Sequence, residues 1–203
     1  MLSQEDFHKY VPKDPLENIK FRLFILNEAK GNMEIQAALM WACKNDILFF
    51  VNVFCWQFNP KHIGDEIGPF ITWDFQDVAL CGGVDEDGET IHGILNCIED
   101  QKDARWTKSR EMGASWLVLM AILWLCLFHF NKKALVISRD EKAVDDPDDP
   151  DCLFWKIDCL LKYLPDWMTQ GIKRRKLGFK FNRTNSYIKG EASTIKAGVG
   201  CRA

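Results

Sequence analysis

From Pro15 to Leu48 the apolar positions recur at helical spacing: Ile19, Leu23 and Leu26, then Ile35, Leu39 and Ala42. One face of an α-helix returns every three to four residues, so this pattern predicts two helices, with Gly31 and Asn32 as the break between them. Residues 47–58, ILFFVNVFCWQF, are almost uniformly apolar. Periodicity does not separate the end of a helix from a buried strand in such a run. A loop of turn formers, NPKHIGDEIGP, follows, then FITWDFQDVAL, then CGGVDEDGETIHG, whose glycines and acids predict a surface hairpin or loop.

The next unit, Ile94 to Arg139, has an ill-defined lead-in, a glycine turn at Gly113, a long apolar run and the β-like segment Ala134 to Ser138. Strand, turn, helix, strand is the order of a βαβ unit, and it predicts the α/β class. Residues 114–130 are broken only by Ser115 and His129, which puts them at the lower edge of the ~17–25 residues that span a bilayer. Their flanks, a glycine turn and the β-like NKKALVISR, instead suit a helix buried against a sheet, and no membrane insertion is expected. The acidic, proline-punctuated DEKAVDDPDDPD predicts a loop that supplies an aspartate cap to the next helix. That helix has a clear apolar face at Leu153, Phe154, Ile157, Leu160 and Leu161, and Pro165 bounds it. The tail LGFKFNRTNSYIKGEASTIKAGVGCRA predicts two short strands around Arg183 to Ser186, then a glycine-punctuated loop. No internal repeat is present.

Composition narrows the picture. A chain of 203 residues, 47% hydrophobic and 12% aromatic, can fill one sizeable core. Its net charge of −3 sets no strong long-range field, so nucleic-acid contact would need a local patch. The quartet Lys173, Arg174, Arg175, Lys176 is a candidate for such a patch, although runs of this kind are usually solvated faces. The cysteines Cys43, Cys55, Cys81, Cys97, Cys126, Cys152, Cys159 and Cys201 are scattered without a C-x-x-C pair. That spacing argues against a zinc site or a disulfide framework and predicts small buried apolar residues in a reducing cytoplasm. The N-terminus, MLSQEDFHKYVPKDP, is polar and mixed in charge, unlike a signal peptide.

The chemistry concentrates in TKSREMGASW, residues 107–116. A phosphate loop works by aiming successive backbone N–H groups at a helix N-terminus into one concavity, with a glycine for close approach and a Ser or Thr hydroxyl for Mg²⁺. Against the pattern G-x-x-x-x-G-K-[ST], Lys108 stands at the first glycine and Ala114 at the lysine. The cation can come from the start of the loop, where Lys108 offers a point charge and Arg110 a bidentate fork. The competing reading is a helix N-terminus capped by Ser115 beside a chance glycine.

This loop resembles the deviant Walker A motif of the large terminase subunits of tailed bacteriophages, ATPases that package viral DNA, in which the basic residue sits early as [KR]-S-R-x-x-G-x-[ST]. Three further segments fall in that family's order. PFITWDFQ is similar to its adenine-recognition segment, ALVISRDEKAVDDPDDPDCLFWKIDCLLKYLPDWM to its second strand and following helix, and SYIKGEASTIKAGVGCRA to the stretch leading to Walker B. The resemblance covers about residues 45 to 203. It implies a P-loop NTPase-like fold with a mostly parallel sheet flanked by helices, incomplete here, with an N-terminal helical segment (1–60) before a partial ATPase domain (61–203). It implies ATP and Mg²⁺ as ligands: phosphate on Lys108, Ser109, Arg110, Glu111, Met112, Gly113, Ala114 and Ser115, Mg²⁺ on Ser115, and adenine on Gln76 with the ring of Phe75 or Trp73 nearby. Glu111, variable in the family pattern, is expected to be solvated. Arg139 and Glu191 are candidates for coupling or DNA contact, as is Arg202. Implied partners are double-stranded DNA, a portal protein and a small terminase subunit, with a homo-oligomeric ring in the cytoplasm of an infected or lysogenic bacterium.

The acid pair of Walker B and the nuclease domain of a large terminase fall beyond Ala203, so nucleotide binding is expected here without efficient turnover by this chain alone. No catalytic residue is assigned. A helicase-like or repair ATPase would use the same loop, and an interaction protein with a fortuitous glycine turn is the reading from another class.

Overall fold

Side-chain caps start the N-terminal helices. In the computed structural model, which describes residues 6–61, 64, 66–194 and 197, Asp14 accepts from Leu16 N and Glu17 N at 3.1 and 3.0 Å, and Pro15 takes the first helical position of α1 (Pro15–Ala29). Asn32 caps α2 (Met33–Asn45) in the same way through Glu34 N and Ile35 N, at the expected break. The ambiguous apolar run contains both alternatives: helix α3 (Ile47–Phe54), then strand β1 (Trp56–Phe58), which pairs with β2 (Ile67–Pro69). The buried Asp46 caps α3, accepting from Phe49 N at 2.9 Å.

The chain continues through α4 (Asp74–Cys81), an antiparallel hairpin of β3 (Gly83–Val84) and β4 (Thr90–Ile91), α5 (Ile94–Glu99), an irregular stretch, and α6 (Ala114–Phe128). Then come β5 (Lys133–Ser138), α7 (Glu141–Val144), α8 (Leu153–Tyr163), α9 (Asp166–Thr169), β6 (Ile172–Arg175), β7 (Gly178–Phe181) and β8 (Ser186–Ala192). The architecture is mixed α/β. Two compact units interleave in sequence: Met1–Val53 with Pro69–Ala121, and Phe54–Gly68 with Ile122–Ala203.

A buried polar network organises the first unit. Asn52 Oδ1 accepts from Thr72 N at 2.9 Å, and Asn52 Nδ2 donates to Thr72 Oγ1 at 2.9 Å and Leu48 O at 2.8 Å. Asn18 Nδ2 donates to Asn52 O at 3.1 Å, and Arg22 spans from Asn18 Oδ1 (2.6 Å) to Phe70 O (3.0 Å). Buried polar groups are tolerable only when hydrogen-bonded, so these contacts fix where the chain enters α4.

The second unit holds a four-stranded sheet of order β5-β8-β7-β6. The expectation of a mostly parallel sheet is corrected here: β5 and β8 are parallel, from Lys133↔Tyr187 to Ser138↔Ala192, while β6–β7 and β7–β8 are antiparallel. Tight turns after Arg175 and Phe181 impose this, because parallel neighbours need a long crossover. The expected βαβ order also lacks its first strand among the described residues. Residues 100–113 form none, as their charged sequence offers no apolar alternation to bury. The α8 cap is Cys152, whose Sγ accepts from Trp155 N at 3.2 Å, rather than an aspartate.

Val136, Phe179, Phe181 and Ile188 bury one face of the sheet. Gly190 is required there, since a Cβ would meet Val144 Cγ1 at 2.5 Å and Phe154 Cζ at 3.0 Å. Arg174 lies over the rings of Phe179 (4.4 Å) and Phe154 (5.4 Å) and pairs with Asp145 and Asp158, so an Arg serves at an inward position of the strand. Five cysteines are buried (Cys43, Cys55, Cys126, Cys152, Cys159), Cys81 and Cys97 are half-buried, and none of these seven forms a disulfide. Cys201 lies outside the described residues. Burial pushes the Cys81 and Cys126 thiols up to about 12 and Cys159 to about 11, which keeps them unreactive. Among the described residues no helix is long and apolar enough to cross a membrane, and no His/Cys/Asp/Glu group is arranged to hold a metal.

Burial tends to raise the Asp145 carboxyl, but hydrogen bonds from Arg174 and Leu177 N and the charges of Arg174 and Lys176 outweigh it and hold the group below its ordinary 3.8. A depressed carboxyl stabilises the fold fully above 3.8, and that contribution disappears as pH falls through the lower folded value. Asp145→Asn is therefore expected to lower the melting temperature at neutral pH, with the gap to wild type narrowing in acid below 3.8. Thermal melts of both proteins across pH check this, and a gap that does not narrow in acid contradicts it.

Candidate functional site

The first turn of α4 is tied to the loop before α6 by one side chain. Gln76 stands at the third helical position, where its Oε1 accepts from Trp73 N at 3.1 Å, as capping glutamines do. Its Nε2 donates to Met112 O at 3.1 Å, 36 positions along the chain. The residue is only 4% exposed, so both ends of the carboxamide are already engaged inside the protein, each keeping a second hydrogen-bonding capacity.

Gly113 is the matching half of the contact. Its φ of 71° is left-handed, and a Cβ would sit 2.9 Å from Gln76 Nε2 and 3.6 Å from Phe70 Cζ. Conformation and space both require glycine here. Its carbonyl accepts from Leu117 N at 3.0 Å, which closes the first turn of α6. The amides of Ala114, Ser115 and Trp116 therefore open the helix without intrahelical acceptors. Buried Trp116 and Leu117 anchor that turn, while the Ser115 side chain is exposed. Glu111, two residues earlier, also has a positive φ, 64°.

A cleft of about 410 Å³ lies beside this loop. One wall is the face of α4 carrying Phe75, Val78 and Ala79; Ile91 and His92 come from the end of the hairpin; Arg105 to Lys108, Met112, Ala114 and Leu117 complete it. The volume falls within the ~300–1,000 Å³ usual for small-molecule sites. Phe75 is 44% exposed and Trp73 58%, their ring centroids 5.4 Å apart, so aromatic surface is available at one side. Arg105, Lys108 and Arg110 are exposed, and none of the three has a hydrogen bond or ion pair among the described residues. Solvated cations beside open helix amides favour an anion.

Of the residues singled out from the sequence, Phe75, Lys108, Met112 and Ala114 line the cleft, and Gln76 and Gly113 hold the loop against α4. Ser109, Arg110, Glu111 and Ser115 are exposed and outside the cleft lining. Arg139 follows β5 with its side chain 86% exposed, paired with Asp140 at 3.2 Å. Glu191 sits in β8, 2.5 Å from Lys189. Both belong to the second unit, and Arg202 lies outside the described residues. Sequence reasoning missed Arg105, Trp106 and His92. The Arg-Trp pair just ahead of TKSREMG was a usable signal, as an aromatic inside a charged lead-in; His92 had none, because only the folded hairpin brings it in.

No protein-family model matches the chain, and no curated protein matches it. The local geometry of the cleft and loop therefore carries the functional conclusion.

The tie between Gln76 and the loop is expected to be energetic as well as geometric. Gln76→Ala leaves Met112 O and Trp73 N without their partner, for a loss of about 1–3 kcal/mol. Gly113→Ala forces a left-handed alanine against Gln76, at roughly 1–3 kcal/mol. Because the two changes meet at one contact, urea denaturation of the double variant should show less destabilisation than the sum, and strict additivity would refute the tie.

Proposed function

We propose that the cleft and its loop bind ATP, and that the chain is the ATP-binding portion of a phage terminase large subunit, a P-loop-type motor for packaging double-stranded DNA. The observation that carries the nucleotide reading is the convergence, within one unit, of an aromatic-edged cleft, Lys108 and Arg110 without ion pairs among the described residues, and a glycine loop held at the start of α6 by Gln76. In this reading the base lies against Phe75, while Gln76, buried and bonded to Trp73 N and Met112 O, holds the loop beside it. Lys108, at the cleft wall, meets the phosphates as a point charge and Arg110 folds over them as a fork. The amides of Ala114, Ser115 and Trp116 complete the cradle.

Mg²⁺ ordinarily keeps several waters and takes phosphate oxygens from its nucleotide, so it needs few protein ligands. The exposed Ser115 hydroxyl on the first turn of α6 suits that role, one protein oxygen to a metal that arrives with ATP. When bound, the ion would neutralise phosphate charge. Double-stranded DNA, a portal protein, a small terminase subunit and further copies in a ring are the partners that the motif resemblance adds to the proposal.

Titration with a fluorescent ATP analogue tests the reading. Binding is expected to require Mg²⁺ and to weaken about tenfold or more in each of Lys108→Ala and Arg110→Ala, the loss for a charge-assisted hydrogen bond. Wild-type affinity in both variants would reject it.

A further inference from the structure

The second unit carries a basic surface that the nucleotide reading does not use. Successive side chains of a strand point to opposite faces, and Val136, Phe179, Phe181 and Ile188 occupy the buried one. Lys173 and Arg175 of β6, Lys180 of β7, and Tyr187, Lys189 and Glu191 of β8 therefore share the opposite face with Lys133, Leu135 and Ile137 of β5. The register aligns them. Lys173 pairs with Lys180, Lys180 with Tyr187, and Tyr187 with Lys133, so one row runs across all four strands. At about 4.8 Å between strands, this row is roughly 14 Å long, three cations and one aromatic ring.

An open concavity of about 810 Å³ lies on this face. Lys176 pairs with Glu141 at 2.7 Å and Lys189 with Glu191 at 2.5 Å, but Lys173, Arg175 and Lys180 have no ion pair among the described residues. Like charges directly opposite on neighbouring strands repel, and Lys173 faces Lys180 without a carboxylate to relieve it. An anion laid over the pair would relieve that repulsion. Half-buried Tyr187 lies between Lys180 and Lys133, with Lys133 Nζ 6.0 Å from its ring centroid. A ring set among cations on an open sheet suits an unstacked base, which a single strand offers and a duplex keeps inside its helix.

We propose that this sheet face binds single-stranded nucleic acid, its phosphates along Lys173, Lys180, Lys133 and Arg175 and one base on Tyr187. The proposal does not rest on the ATP-binding reading.

Fluorescence anisotropy of the full chain with a labelled oligothymidylate of about 20 nucleotides, and with a duplex of the same length, tests it between about 50 and 200 mM salt. The single strand is expected to bind about tenfold more tightly than the duplex. The double variant Lys173→Ala/Lys180→Ala should bind more weakly and lower the salt slope by about 1.4, near 0.7 for each lost phosphate contact. Tyr187→Leu should weaken binding about tenfold while Tyr187→Phe, which keeps the ring, binds like wild type. Lys30→Ala/Lys44→Ala, exposed lysines of the first unit, controls for general charge, and thermal melting confirms that each variant is folded. Equal or tighter duplex binding, an unchanged salt slope, wild-type binding by Tyr187→Leu, or no single-strand binding by a chain that still binds the ATP analogue would each overturn it.

Discussion

Thr72 is the fixed point of the first unit. Asn52 takes hold of both its backbone N–H and its hydroxyl, and Lys13 Nζ donates to its carbonyl at 2.8 Å and its hydroxyl at 2.6 Å. Those contacts pin the residue that precedes the Trp73 cap of α4. Once Trp73 is placed, so is Gln76, and Gln76 in turn sets the height of Met112 and Gly113 above the first turn of α6. A buried asparagine in α3 thus helps to set where a surface loop sits, through a relay of hydrogen-bonded residues.

The same logic governs the second unit, with a cation in place of an amide. Arg174 fills an inward position of β6 by spreading its guanidinium over Phe179 and Phe154 and giving its hydrogen bonds to Asp145 and Asp158. Asp145 also accepts from Leu177 N at 2.6 Å, which holds the turn between β6 and β7. Burial raises the Asp158 carboxyl in spite of the opposing Arg174 charge, so the two acids around one Arg are shifted in opposite directions. The Arg belongs as much to the core as to the surface.

Several of these features were legible in the sequence because their causes are local. The helical spacing from Pro15 and the break at Gly31 and Asn32 announce the two N-terminal helices, and the glycines and acids of residues 81–93 announce the hairpin. Strand β6 was not legible, because Lys-Arg-Arg reads as a solvated face until Phe154 and Phe179 are known to lie beneath Arg174. The α8 cap was misassigned for a related reason: Cys152 Sγ also contacts Asp146 N at 3.2 Å, a preference that exists only once the acidic loop is folded. In the candidate site, the loop and Gln76 stood out as residue types, but their contact spans 36 positions and depends on the Asn52 network. The hairpin wall of the cleft carried no chemical signature at all.

Glu111 gives the loop a property separate from charge. A residue with a Cβ at φ 64° lies in the left-handed region, which costs it roughly 1–2 kcal/mol relative to ordinary backbone, where glycine would sit freely. The loop therefore stores strain at its middle, and a ligand whose contacts favour an ordinary backbone at that point would release it. The residue that looked least committed in TKSREMG, an exposed acid in the middle of a basic stretch, thereby becomes the one at which the loop's shape is held at a cost.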